Sequence, residues 1–294
     1  MVGGGEMKRK EISLFQILNT TFLALLALSC LYPFIYVLSA SFSSADSINT
    51  GKVWFWPVEA TLESYAKVFE RKELLLAYGN TFYYTIVGTS INLLLTLLGA
   101  YPLSKKRLAG RGPMSFFIAF SMLFSAGLIP VYLNYRDLGL LDTRWAILLG
   151  GAVSAINLII MRTFLQAIPD ELEESAKIDG ANDWTILWRV YLPLARPAMA
   201  AVGLFYAVGH WNSYFMAMIL LRDPAKIPLQ VYLQQIIVQM QVPDEIKATI
   251  DVVPYSQETI IYATIMIAIT PIILVYPFIQ KHFVKGVLIG SIKG

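Results

Sequence analysis

Six stretches of this chain contain no Asp, Glu, Lys or Arg: 12–45, 74–104, 112–135, 145–161, 197–221 and 259–280. Each is close to or above the roughly 20 residues that a helix needs to cross a bilayer's hydrocarbon core. The stretch at 145–161 is short, but Arg144 and Arg162 flank it and can reach to the interfaces. A soluble domain could not be covered by this composition, because 56% of the 294 residues are hydrophobic and only 15% charged. The pattern predicts an all-α membrane protein with six transmembrane helices. They are placed at about 14–40, 76–104, 113–135, 144–162, 197–221 and 259–281, in a single transmembrane domain covering 1–294.

Residues 227–243 also lack charge, yet they carry Gln230, Gln234, Gln235, Gln239 and Gln241. Five amides are costly in lipid, so this segment reads as an external amphipathic one. Parity agrees with that choice. Lys8-Arg9-Lys10 near one end and Lys281, Lys285 and Lys293 near the other place both termini in the cytoplasm, which requires an even number of spans. The cluster Lys105-Lys106-Arg107 marks a second inner segment.

The first apolar run, Leu14 to Leu38, is too long for a cleavable signal and reads as an uncleaved span. Cys30 is the one cysteine, so an intrachain disulfide is excluded. No basic array points to nucleic acid. The two histidines, His210 and His282, lie far apart, which argues against a metal site. The six charge-free stretches hold no acid, and neither an H-E-x-x-H helix nor a phosphate-binding G-x-x-x-x-G-K-[ST] loop occurs. An intramembrane enzyme therefore ranks low. So does ATP hydrolysis by this chain.

Between the first two spans, Trp54 and Trp56 suit a membrane interface, and Glu59–Glu73 has helical character. The second span carries Asn80, Thr81, Thr85, Thr89, Ser90 and Asn92, polar groups that at this depth bond neighbouring helices or line a cavity. Pro130 is expected to kink the third span and Pro271 and Pro277 lie in the sixth. Gly150-Gly151 and Asn157 in the fourth suit close packing, and GHWNSYF at 209–215 is the most polar and aromatic cluster inside any span.

The polar segment 169–196 lies between two apolar runs. Pro169 starts a helix whose first turn carries Asp170, Glu171, Glu173 and Glu174, the sign favoured by the helix dipole. Gly180 predicts a sharp turn, Asn182 or Asp183 a cap on a second short helix, and Pro193 its end. The result is a helix–turn–helix at the cytoplasmic surface, with an acidic tip that suits a basic groove. Within it, Glu174-Ser175-Ala176 is followed after three residues by Gly180, and after nine more by Val190-Tyr191-Leu192-Pro193.

That spacing resembles the EAA loop of binding-protein-dependent ABC importers, with Ser175 and Val190 as two conservative departures. Nearly the whole chain is similar to the MalG-type inner-membrane permeases of carbohydrate ABC importers, in the complex-polysaccharide branch. The likeness runs through TLESY, AYPLSKK, GLIP, MRTFLQAIPDELEESAKIDGA and HWNSYF to the Gly-rich tail. It implies a type I ABC importer permease fold, half of a translocation pore in a bacterial cell membrane. The implied partners are a homologous second permease, an ABC ATPase dimer that binds ATP and Mg, an extracytoplasmic sugar-binding protein and membrane lipid. No cofactor is implied for this chain itself. It implies too that Glu171, Glu174, Ser175, Ala176, Asp179, Gly180 and Ala181 form the ATPase-docking segment. Lys285–Gly294 is similar to a tail that reaches the ATPase interface, and 222–258 to a loop that approaches the binding protein.

Two readings stand for His210–Tyr214. Aromatic faces and amides can hold a sugar, which makes Trp211, Asn212 and Tyr214 candidates for the substrate path, with Asn157 beside them; or the same groups pack helices. Trp211 and Tyr214 are three residues apart, so one helix face would present both. A permease for a non-sugar solute, or a membrane sensor on the same fold, are the alternatives to a sugar importer.

Overall fold

The computed structural model describes residues 14–240 and 259–274, and helices are the only regular secondary structure among them. The first is α1, Leu14–Ser41, followed by α2, Ala45–Asn49, and α3, Glu63–Glu70. Next come α4, Lys72–Ser104; α5, Arg111–Ser121; α6, Leu128–Asp137; α7, Arg144–Leu149; and α8, Ala155–Gln166. Then follow α9, Asp170–Ile178; α10, Asp183–Leu194; α11, Arg196–Trp211; α12, Phe215–Leu220; α13, Leu229–Met240; and α14, Thr259–Leu274. Of the expectations above, Lys8–Lys10, Pro277, the end of the sixth span, Lys281, His282, the tail Lys285–Gly294 and all of 241–258 lie outside the described residues.

Among the described residues, only α1 and α4 are long and apolar enough to cross a membrane as single helices, and α10 with α11 qualify together across a bend of 81°. The third, fourth and fifth charge-free stretches hold broken helices. The third is interrupted at 122–127, where Gly127 takes φ +82° and Pro130 enters the first turn of α6. Pro130 therefore starts a helix, instead of kinking one, at a position whose N–H has no intrahelical partner to lose. The fourth breaks at 150–154, and the fifth at 212–214.

The described residues fall into two compact units, 14–68 with 259–267 and 69–240 with 268–274. In the first unit, every residue of α1 from Leu14 to Ile35 is exposed, as expected of a helix solvated by lipid. Ser39, Ser41, Ser43 and Ser47 are buried at its far end. There Ser39 Oγ donates to Phe55 O at 2.8 Å, and Ser43 Oγ accepts from Val58 N at 3.0 Å. The Glu59 carboxylate, accepting from Ser44 and Ser47, is held below its usual pKa chiefly by the Ser44 hydroxyl.

In the second unit α4 is the central helix, packed mainly against α11 and α8. Two of its polar residues, Asn80 and Thr81, fix the chain that surrounds it. Asn80 Nδ2 donates to Ala225 O and Ile227 O, Asn80 Oδ1 accepts from Arg144, and Thr81 Oγ1 accepts from Leu229 N. In lipid each such bond contributes on the order of 1 kcal/mol, and together they anchor the entry to α13. In α13, Leu229, Val231 and Leu233 are buried, Gln230 and Gln234 half-buried, and Gln235 and Val238 exposed. One apolar cluster, including Leu97, Leu158, Met161, Ile186 and Tyr191, joins α4, α8 and α10. A second, with Tyr84, Ile147, Leu148 and Ile227, holds the opposite end of α4.

Candidate functional site

The loop 169–196 folds as a helix–turn–helix. Asp170, Glu171 and Glu173 occupy the first turn of α9. Gly180 has φ +81°, a left-handed conformation that only glycine adopts without strain. Asn182 Oδ1 accepts from Thr185 N at 2.8 Å and caps α10. α10 continues to Leu194, one residue past Pro193, because Leu187–Tyr191 forms a π-helical turn. That wider turn makes room for the Pro193 ring, which would otherwise crowd the carbonyl four residues back.

The acidic face divides in two. Glu171, Glu174, Ser175 and Asp179 are exposed, and Ala176 and Ala181 are half-buried against the apolar cluster beneath. Ile178 stands 88% exposed beside them, and Trp184 62%. Glu173 points the other way and is only 5% exposed. Its carboxylate pairs with Lys105, with Arg107 Nη1 at 2.9 Å and with Lys177 Nζ at 2.6 Å, and accepts from Tyr191 OH at 3.1 Å. Lys105 Nζ also sits 3.6 Å from the centre of the Tyr191 ring. Burial pulls the Lys105 ammonium below its usual pKa, and the Glu173 carboxylate works against that pull. Burial, with the carboxylate beside it, pushes the Tyr191 phenol up. Sequence reasoning placed Glu173 with the dipole acids. The missed signal was its spacing of four from Lys177, which puts the two on one helix face.

A cavity of about 520 Å³ lies between α4, α8 and α11, and Asn92, Asn157, Tyr206 and His210 line it. Asn92 Nδ2 is 3.2 Å from His210 Nε2, and Tyr206 OH bonds Thr96 Oγ1 at 2.7 Å and accepts from Ser154 N at 2.9 Å. Asn92 Oδ1 is buried without a hydrogen-bond partner in the described residues. Asn157 thus reaches the cavity. Trp211 and Tyr214 do not share a helix face, which corrects the expectation above. α11 ends at Trp211, residues 212–214 leave the helix, and the turn sends the two rings apart. Trp211 is buried edge-on against Tyr78 and Phe82, whereas Tyr214 is half exposed. Asn212 is exposed and its amide donates back to Val208 O at 3.0 Å.

The family of binding-protein-dependent transport system inner membrane components matches residues 83–289. The chain belongs to that family. Among its relatives, the polygalacturonan/rhamnogalacturonan transport system permease protein YtcP of Bacillus subtilis (strain 168) is 44% identical over 96% of this chain and 99% of that protein. Protein LplC of the same organism is 42% identical over 95% of each. A chain of a bacterial ABC transporter crystal structure, described as involved in the import of the acidic polysaccharide alginate, superposes with a TM-score of 0.87. It is 45% identical and covers 95% of this chain and 100% of that one. This membership gives the helical architecture its name, an inner-membrane transport component of type I permease fold.

Proposed function

We propose that this chain is a permease subunit of an ATP-driven ABC importer for an oligosaccharide, forming half of the translocation pore. The division of the α9 acids carries the reading: Glu173 is consumed inside the protein while Glu171, Glu174 and Ile178 are presented outward. An exposed carboxylate and a bare apolar side chain on a rigid support suit a groove with basic walls and an apolar floor. That groove belongs to a separate ATPase, which holds ATP and Mg and performs all hydrolysis. This chain is a transport subunit and not an enzyme.

In this reading the six spans are α1, α4, α5 with α6, α7 with α8, α11 with α12, and α14, with both termini in the cytoplasm. The breaks at 122–127, 150–154 and 212–214 are tolerated because irregular backbone at membrane depth is allowed where protein or a water-filled path covers it. A homologous permease completes the pore, and an external binding protein delivers the sugar. The cavity beside Asn92, Asn157 and His210 lies on the sugar's path, where amides and hydroxyls can exchange bonds with sugar hydroxyls as it passes. The descriptions of the relatives at 44% and 45% identity make acidic polysaccharide fragments the first class to test.

Purifying the intact complex with its binding protein, and identifying the captured molecule by mass spectrometry, tests this. An oligosaccharide is expected. An amino acid, peptide or metal ion as the only cargo would refute the sugar assignment while leaving the family intact.

A further inference from the structure

α4 and α9 belong to different parts of the chain, yet their cytoplasmic ends meet at one carboxylate. Lys105 and Arg107 follow directly from the end of α4, Glu173 and Lys177 stand on α9, and Tyr191 comes from the π-helical turn of α10. Arg107 extends the tie, because its Nη2 reaches Asp183 Oδ1 at 2.8 Å on the first residue of α10. A single guanidinium therefore braces both arms of the helix–turn–helix against the segment after α4.

We propose that Glu173 is a positioning residue for transport, the pin that makes the docking helix α9 and the central helix α4 move as one lever. This rests on the reading of α9 as the ATPase contact, and it goes beyond it by assigning the next link. Docking alone moves a surface helix. Between α9 and α8 lie only Ala167, Ile168 and Pro169, and the turn at Gly180 separates α9 from α10, so covalent continuity leaves α9 free to pivot. The Glu173 cluster removes that freedom.

The chemistry suits a pin better than an apolar contact would. An apolar surface slides with little change in energy. A buried carboxylate that leaves its cations must be desolvated without compensation, which makes a small displacement costly. Three cations and a phenol around one carboxylate also define its position in three directions, as a single ion pair does not. Pull applied at Glu174, the neighbouring residue, then reaches α4 and the cavity lined by Asn92 farther along the same helix.

The test uses the reconstituted complex of both permeases and the ATPase, with retained ATPase and sugar moved per ATP hydrolysed as readouts. Glu173→Gln keeps the shape and loses the charge. It should retain the ATPase and its hydrolysis but lower the transport-to-hydrolysis ratio about tenfold. Glu173→Asp keeps the charge and should recover most of the ratio. An unchanged ratio in Glu173→Gln would overturn the proposal. Should that variant fail to assemble, Arg107→Met decides, since it is half exposed and leaves Lys105 and Lys177 on the carboxylate. A several-fold fall in the ratio is expected there, and a wild-type ratio refutes the pin. Failure of the docking reading looks different: a complex altered only by Glu174→Cys, at an exposed position, would then yield no ATPase cross-linked through it, and pin and docking would fall together.

Discussion

Asn92 Nδ2 and His210 Nε2 lie 3.2 Å apart, a direct tie between α4 and α11 at the edge of the cavity. One turn earlier on α4, Gly88 gives the His210 ring its room. A Cβ there would stand 2.5 Å from Nε2. Gly88→Ala should therefore push the ring aside, break the Asn92 contact and cost ~2 kcal/mol. Gly79→Ala on the same helix meets nothing within 4 Å and should leave stability within ~1 kcal/mol of the parent, on the favourable side. Thermal unfolding of the purified complex separates the two. Equal melting temperatures would mean that His210 is not confined as described.

Trp211 and Tyr214 should behave differently because the chain turns between them. Trp211→Ala empties a site packed against Tyr78 and Phe82 and should cost about 3 kcal/mol, seen first as lost assembled complex. Tyr214→Ala removes a half-exposed ring and should assemble normally while sugar uptake falls several-fold, as expected for contacts on the order of 1 kcal/mol. Co-purification measured beside sugar-stimulated ATP hydrolysis gives the answer. If Tyr214→Ala loses assembly in proportion to activity, that residue is structural.

Much of the loop was legible in the sequence, and less of the membrane portion. Gly180, the Asn182 cap and the acidic first turn of α9 follow from local chemistry that needs no tertiary partner. The helix breaks do not. Where lipid solvates one side and protein the other, both helix faces are apolar, so the 3.6-residue alternation that marks a helix boundary in water is lost. The break at 150–154 is held by a long-range bond, Ser154 N to Tyr206 OH, which no local pattern announces. Glu173 was hidden for the opposite reason. Four acids in five residues look alike until burial selects one.

Near the start of α4, Asp142 accepts from the backbone N–H groups of Arg222 and Asp223, each at 3.0 Å, and pairs with Lys226 at 3.5 Å. The Asp223 N–H bond leads in holding its carboxyl below the ordinary value of 3.8. A depressed carboxylate stabilises the fold above its unfolded pKa and loses that contribution as pH falls through the folded one. Hydrogen exchange at the Arg222 and Asp223 amides should hence be protected equally from about pH 8 to about pH 5 once the intrinsic rate is corrected. Asp142→Ala should lose that protection throughout, because it removes the acceptor and puts Ala at φ +54°. Retained protection in the variant would remove Asp142 from this role.

Topology can be read from two exposed side chains in a Cys30→Ser background. Cysteine at Trp56, 81% exposed, should react with an impermeant thiol reagent from outside the cell. Cysteine at Ile178, 88% exposed, should react only after the membrane is opened. Outside labelling at 178 would invert the orientation and end the docking reading.

On the reading proposed above, a separate ATPase drives sugar through this chain by way of the exposed face of α9. ATP-dependent uptake of labelled oligosaccharide into proteoliposomes, parent complex against Glu174→Lys, tests it most directly. The lysine replaces attraction with like-charge repulsion at a contact shielded from water, while the inward pin at Glu173 is untouched. ATP-dependent accumulation is expected for the parent and none for Glu174→Lys, with the variant inserted and folded. Uptake by Glu174→Lys at the parent's rate, with normal stimulation of ATP hydrolysis, would contradict it.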